Sequence, residues 1–224
     1  MTQAGGMKAQ LKTLLPHGSR LRTLPSGIGR GLRLGVDLRN GHLGLFFGLY
    51  EVELNRHLRD LCRPGVRSFD VGGQMGYDAL IIAKLTNSAV VSVECEPEWC
   101  DVIRRNVAAN ESLAPLISVK EATVGAPEAI GSVTLDALAA ETFVPDFIKI
   151  DIEGGEVDAL RGATRLLSER GPALLIEVHS LRLEEDCVAL LRDATYDVLV
   201  VDQRRLLRDH RPTAHNRWLV AERA

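Results

Sequence analysis

The chain has 224 residues, 46% hydrophobic and 25% charged, with a formal net charge of −3. That composition suits one globular core, offers no bulk electrostatic case for nucleic acid, and contains no apolar stretch long enough to span a bilayer. Cys62, Cys95, Cys100 and Cys187 lack C-x-x-C spacing, and the first ten residues lack an apolar signal core, so free thiols in the cytoplasm are expected and structural zinc is not.

In chain order, Leu11, Leu14 and Leu15 give a weak helical pattern closed by Pro16. Residues 19–24 and 32–39 alternate apolar residues with arginine and read as two strands, with turns at 25–29 and at Asn40-Gly41. Arg20, Arg22, Arg30, Arg33 and Arg39 gather here, as a solvated face or as a patch for an anionic substrate. Val52, Leu54, Leu58 and Leu61 predict a helix over 51–62, stopped by Pro64-Gly65. Residues 1–66 are therefore expected to form an N-terminal extension of hairpin and helix packed on a main domain, 67–224.

From Arg67 the pattern alternates. Strands are predicted at 67–71, 89–94, 117–124, 147–152, 173–178, 196–202 and 217–221. Helices are predicted from Ala79, from Pro97 to about Asn110, around Leu135 and Leu138, and over 155–169 and 184–193. Such alternation implies an α/β fold, a Rossmann-like and mostly parallel seven-stranded sheet with helices on both faces, its final strand pair antiparallel.

The chain is organised around Arg67-Ser-Phe-Asp-Val-Gly-Gly-Gln-Met-Gly-Tyr-Asp-Ala-Leu80, a strand, a glycine turn and a helix. Ligands of open α/β sheets bind outside the carboxyl ends of the strands, at the switch in strand order. The spacing Asp70-x-Gly72-x-x-x-Gly76 is not G-x-G-x-x-G, which weakens a nicotinamide-dependent oxidoreductase. An acid at the strand tip suits a cation better than a pyrophosphate. S-adenosylmethionine carries an ammonium and a sulfonium, and glycines let backbone approach such a ligand closely. Glu94, 24 residues after Asp70, ends the second strand, where a carboxylate accepts both hydroxyls of a ribose. Glu121 and Ala122 end the third, beside the place for an adenine amine.

The second informative stretch is Asp146-Phe-Ile-Lys-Ile-Asp-Ile-Glu-Gly-Gly-Glu156. Asp151 and Glu153 crowd the mouth of the fourth strand, next to Asp70 if the two strands adjoin. Glu156, in the first turn of the following helix, reads best as a helix-dipole partner. Glu177 and His179 end the fifth strand. The imidazole there would take a proton from an acceptor hydroxyl, with Glu177 orienting it or binding a sugar hydroxyl; a structural histidine at the sheet edge is the competing reading. The placing of Asp151, Glu153, Glu177 and His179 admits a divalent ion without demanding one, and no metal is assigned.

These stretches resemble the FkbM family of S-adenosylmethionine-dependent methyltransferases over about residues 45–222. The resemblance is most specific at Asp146–Glu156 with Val157-Asp-Ala-Leu-Arg-Gly-Ala163, at Leu175-Ile-Glu-Val-His179 and at Asn216-Arg-Trp-Leu-Val-Ala221; Leu49-Tyr-Glu51 and the glycine turn share it. It implies a class I methyltransferase fold and transfer of a methyl group to a hydroxyl of a sugar, polyketide or similar small molecule. It implies a cofactor set of Tyr50, Glu51, Asp70, Gly72, Gly73, Gly76, Tyr77, Glu94, Cys95, Glu121, Ala122 and Asp151, with His179, Glu153 and Glu177 on the catalytic side. Gly73-Gln74 stands where the family usually has Ala-Asn, Cys95 where it has proline, and the segment between Val124 and Leu135 is short. A non-catalytic S-adenosylmethionine-binding module is the alternative of another class.

Overall fold

The computed structural model describes residues 18–204 and 215–224, so the pattern at Leu11, Leu14 and Leu15 lies outside the described residues. The chain divides into two compact units between Val52 and Glu53. In the first, β1 (Arg20–Thr23) pairs antiparallel with β2 (Arg33–Val36), setting Arg22 opposite Leu34 and Thr23 opposite Arg33. Directly paired residues share a sheet face. Arg20 and Arg22 therefore share theirs with the buried Leu34 and Val36, while Leu21, Thr23 and Arg33 occupy the other, exposed face. The arginines that cluster in sequence are split between two sides. The hairpin loop is tied to the end of α1 (Leu43–Phe46) by Ser26 Oγ donating to the Phe47 carbonyl at 2.7 Å.

The helix predicted over 51–62 starts late. Glu51 has a φ of 46°, a single 3-10 turn follows at Val52–Leu54, and α2 then runs Asn55–Leu61. A non-glycine residue in the left-handed region cannot propagate a right-handed helix, so the apolar periodicity overran the true start.

The second unit is built on seven strands: β3 (Ser68–Val71), β4 (Val90–Glu94), β5 (Ile117–Glu121), β8 (Phe147–Ile150), β9 (Ala173–Val178), β10 (Tyr196–Val201) and β11 (Arg217–Arg223). Their order is β10-β11-β9-β8-β3-β4-β5. β3, β4, β5, β8 and β9 pair in parallel, and β11 lies antiparallel to both β9 and β10. The predicted antiparallel end is present, with β11 wedged between its partners. The third predicted strand divides after Glu121 into β5 and a small side pair, β6 (Thr123–Val124) with β7 (Ser132–Val133).

Alternation along each strand separates the two faces of the sheet. On one, Phe69, Val71, Val91, Val93, Ile148, Ile150, Leu174 and Ile176 form the main core. Leu135 and Leu138 of α5 (Leu135–Glu141), Leu160 of α6 (Glu156–Arg161) and Leu191 of α7 (Leu181–Asp193) join that core. The register puts Ser92, Asp70 and Lys149 side by side across β4, β3 and β8 on the opposite face. α3 (Tyr77–Thr86) follows the glycine turn, and α4 (Pro97–Ala108) follows β4 with proline in its first turn.

The helix predicted over 155–169 is two pieces. α6 ends at Arg161, and a π turn spans Leu166–Arg170. The Asp136 carboxylate accepts the Arg165 and Leu166 amides at 2.8 and 2.9 Å, satisfying donors that a helical start leaves open. No helix among the described residues is long and apolar enough to cross a membrane.

Candidate active site

Strand order reverses between β3 and β8, which run parallel with Asp70 opposite Lys149. The carboxyl ends of these strands meet closely: the Asp151 amide donates to the Val71 carbonyl at 2.9 Å. Gly72 has a φ of +91°, and a Cβ on it would stand 1.8 Å from the Asp151 carbonyl oxygen. A Cβ on Gly73 would meet Ser92 Oγ at 2.3 Å, and one on Gly76, with φ +77°, would meet Ile103 at 3.0 Å. These glycines are required first by the protein's own packing, strand against strand and turn against α4, before any ligand arrives.

Below the turn is a buried polar row. Asp70 is fully buried, and its Oδ2 accepts the Ser92 hydroxyl at 2.9 Å while Oδ1 takes no hydrogen bond. Lys149, 2% exposed, holds Asp78 at 2.9 Å and Asp151 at 3.4 Å through Nζ. Burial pushes Asp70 up to about 7, Lys149 opposing it. Burial also works to raise Asp151, but Lys149 and His179 outweigh it and hold this carboxyl below its ordinary value.

The flanks of the turn are equally ordered. Glu94 is 8% exposed and is not a solvated loop acid: Oε2 accepts the Gln74 amide at 2.8 Å and Oε1 the Glu96 amide at 3.0 Å. Each oxygen keeps a further lone pair for a hydroxyl. Glu121 pairs in register with Glu94, and the Ala122 amide donates to the Glu94 carbonyl, so all three stand at one strand end. Cys95 is exposed beside them, and Tyr77 is buried at the start of α3. Tyr50 and Glu51 belong to the first unit, where Glu51 is buried.

On the other side of β8, Asp151, Glu177 and His179 converge. His179 Nε2 is 3.9 Å from Asp151 and 3.6 Å from Glu177, and its Nδ1 is 3.8 Å from Glu156. Glu156, fully buried, accepts the Gly154 amide with both oxygens at 3.1 and 3.0 Å, the helix-start role expected of it. The Glu156 carboxylate, ahead of Glu177 and Asp151, raises the His179 pKa against the opposing effect of burial. Asn216 Nδ2 donates to Glu177 from the foot of β11. Glu153 is exposed on the turn, at a φ of 48°, and stays outside this cluster of three.

Among the described residues the site thus gathers Asp70, Asp78, Asp151, Glu156 and Glu177 around Lys149 and His179. Burying carboxylates is costly without positive charge nearby, so this mouth fits a cation better than an anion. Sequence reading passed over Lys149, Asp78, Ser92 and Asn216. A lysine between two isoleucines in a central strand was the available signal, since a charge there has to find buried partners.

Residues 108–211 match the model of the Methyltransferase FkbM domain. An FkbM methyltransferase of Methylobacillus flagellatus superposes with a TM-score of 0.57 at 21% identity, over 70% of this chain and 43% of that one. An S-adenosylmethionine-dependent O-methyltransferase of Thermotoga maritima gives 0.56 at 14%, over 78% and 66%. Fibrillarin of Aeropyrum pernix, with natively bound S-adenosyl-L-methionine, gives 0.51 at 15%, over 72% and 68%. At these identities the structures establish a shared fold. No curated protein matches the sequence.

Proposed function

We propose, from the match of residues 108–211 to the FkbM methyltransferase domain, that the chain transfers a methyl group from S-adenosylmethionine to a hydroxyl oxygen of a small molecule. The observation that carries the reading is the surplus of carboxylates at the switch point, around Asp70, Asp151 and the glycine turn. S-adenosylmethionine supplies, when bound, a methyl group on a positively charged sulfur. In this reading Asp70, Gly72, Gly73, Gly76, Tyr77 and Asp151 hold its methionine half. Glu94, with Cys95, takes the ribose, and Glu121 with Ala122 flanks the adenine.

Asp70 acts from beneath the turn, through its charge and its bond to Ser92, because its side chain is fully buried. Glu94 fixes the turn through the Gln74 amide and keeps lone pairs for hydroxyls. On the acceptor side, His179, Glu177 and Glu153 orient the hydroxyl and receive its proton. Most of the acceleration comes from holding donor and acceptor close and dry, which needs little acid–base chemistry from the chain.

The test combines calorimetry with a transfer assay. The chain should bind S-adenosylmethionine and its demethylated product, and move label from methyl-labelled donor into small hydroxylated metabolites. Asp70→Ala should weaken donor binding at least tenfold. Donor affinity unchanged in that variant removes Asp70 from the site, and binding with no transfer to any metabolite marks a binding module.

A further inference from the structure

The mouth between β8 and β9 holds more donor atoms than a proton relay requires. We propose that Asp151, Glu177 and His179 bind a divalent metal cation, whose open positions receive an oxygen of the acceptor. The acceptor's part rests on the methyl-transfer reading; the cation site itself does not.

Three observations support it. First, one ligand atom from each residue lies within 4.8 Å of the other two. The separations from His179 Nε2, 3.9 Å to Asp151 and 3.6 Å to Glu177, are too long for hydrogen bonds. They match the spacing of two ligands on one ion, where metal–ligand bonds of about 2.0–2.2 Å put neighbours roughly 3–4 Å apart.

Second, each of the three has a separate group behind it. Lys149 Nζ lies 3.4 Å from Asp151 Oδ2, while Oδ1 is the oxygen nearest the imidazole. Asn216 donates to Glu177. Glu156 stands 3.8 Å from His179 Nδ1, the ring atom remote from the cluster, and that nitrogen is buried without a hydrogen bond. A carboxylate behind the non-ligating nitrogen is the arrangement that orients metal-bound histidines.

Third, carboxylates crowd both cations of the mouth among the described residues. Lys149 reaches Asp78 and Asp151 and lies beside Asp70 in register, while Asp151, Glu156 and Glu177 surround His179. One imidazole with two carboxylates suits manganese, iron or zinc better than calcium, which prefers an all-oxygen shell.

The experiment is a titration of the full chain, free of donor and acceptor, with Mn2+ read by the electron paramagnetic resonance of the free ion. One Mn2+ should bind per chain. Affinity should fall at least tenfold in His179→Ala and in Asp151→Asn, while Glu128→Gln, at an exposed position, binds as the parent does. Circular dichroism checks that each variant folds; His179→Gln is the second variant at the partly exposed imidazole should His179→Ala not fold. No binding at millimolar Mn2+, or binding that survives both His179→Ala and Asp151→Asn, overturns the proposal and identifies the imidazolium as the cluster's own counter-charge. Either result leaves the donor calorimetry untouched, so failure here is separable from failure of the methyl-transfer reading.

Discussion

At the scale of single residues the site turns on Lys149. Its ammonium reaches both Asp78 and Asp151, and it lies beside Asp70 in register. Lys149→Met keeps an unbranched side chain, one atom shorter, and removes the charge. Leaving buried carboxylates uncompensated costs about 3–5 kcal/mol, so this variant should show a loss of that order in urea denaturation. A loss below about 1 kcal/mol would mean that the aspartates take up protons without penalty.

Asp70 gives a pH prediction of definite sign. Its pKa rises from the ordinary 3.8 to about 7 on folding, with burial the main cause. The neutral form therefore favours the native state. Its contribution is complete below the unfolded value and is lost as pH climbs through the folded one. Asp70→Asn retains an acceptor for Ser92 and cannot ionise. Between pH 4 and 7 the parent should lose stability relative to this variant, and level off above. A difference between the two that stays flat over that range would show that Asp70 remains ionised throughout.

At the scale of elements, α7 starts directly after the histidine of the cluster. Ser180 caps it, its Oγ accepting the Leu183 amide at 3.2 Å. Ser180→Ala should cost about 1 kcal/mol in denaturant melts, as cap removal commonly does. Serine capping extends this helix upstream of the predicted start at Glu184, which the apolar pattern alone did not place. Most strands were legible because β3, β8 and β9 are short apolar runs between turn residues. Asp151 beside Asp70 followed once the strand order was known. What stayed hidden were partnerships across strands: Ser92 with Asp70, Lys149 with Asp78, and Asn216 with Glu177. Those depend on register, and no local pattern records which residues of two distant strands will stand opposite one another.

At the scale of the whole molecule, charge is unevenly spread along the chain. Residues 1–52 contain seven of the 27 lysines and arginines and two of the 30 acids, leaving residues 53–224 with twenty basic and twenty-eight acidic side chains. The sheet unit is thus the acidic one, in keeping with a cationic donor. Binding should register as global stabilisation. A ligand at a hundred times its dissociation constant adds about 2.7 kcal/mol, and each kcal/mol moves the melting point of a protein this size by about 2–4 °C. Thermal melts with the demethylated donor should accordingly rise by roughly 5–10 °C, and melts with NAD should not move.

The place of β11 has a consequence for biosynthesis. This strand is translated after every other member of the sheet, yet it occupies an interior lane, bringing Trp218, Leu219 and Ala221 into buried positions and Asn216 to Glu177. Until it leaves the ribosome, β9 and β10 face each other across a missing rung, two raw β edges on a nascent chain. Quality control during translation would meet its most vulnerable species in the interval before β11 emerges, when the β3–β8 cleft already has its strands and Glu177 still lacks its clasp.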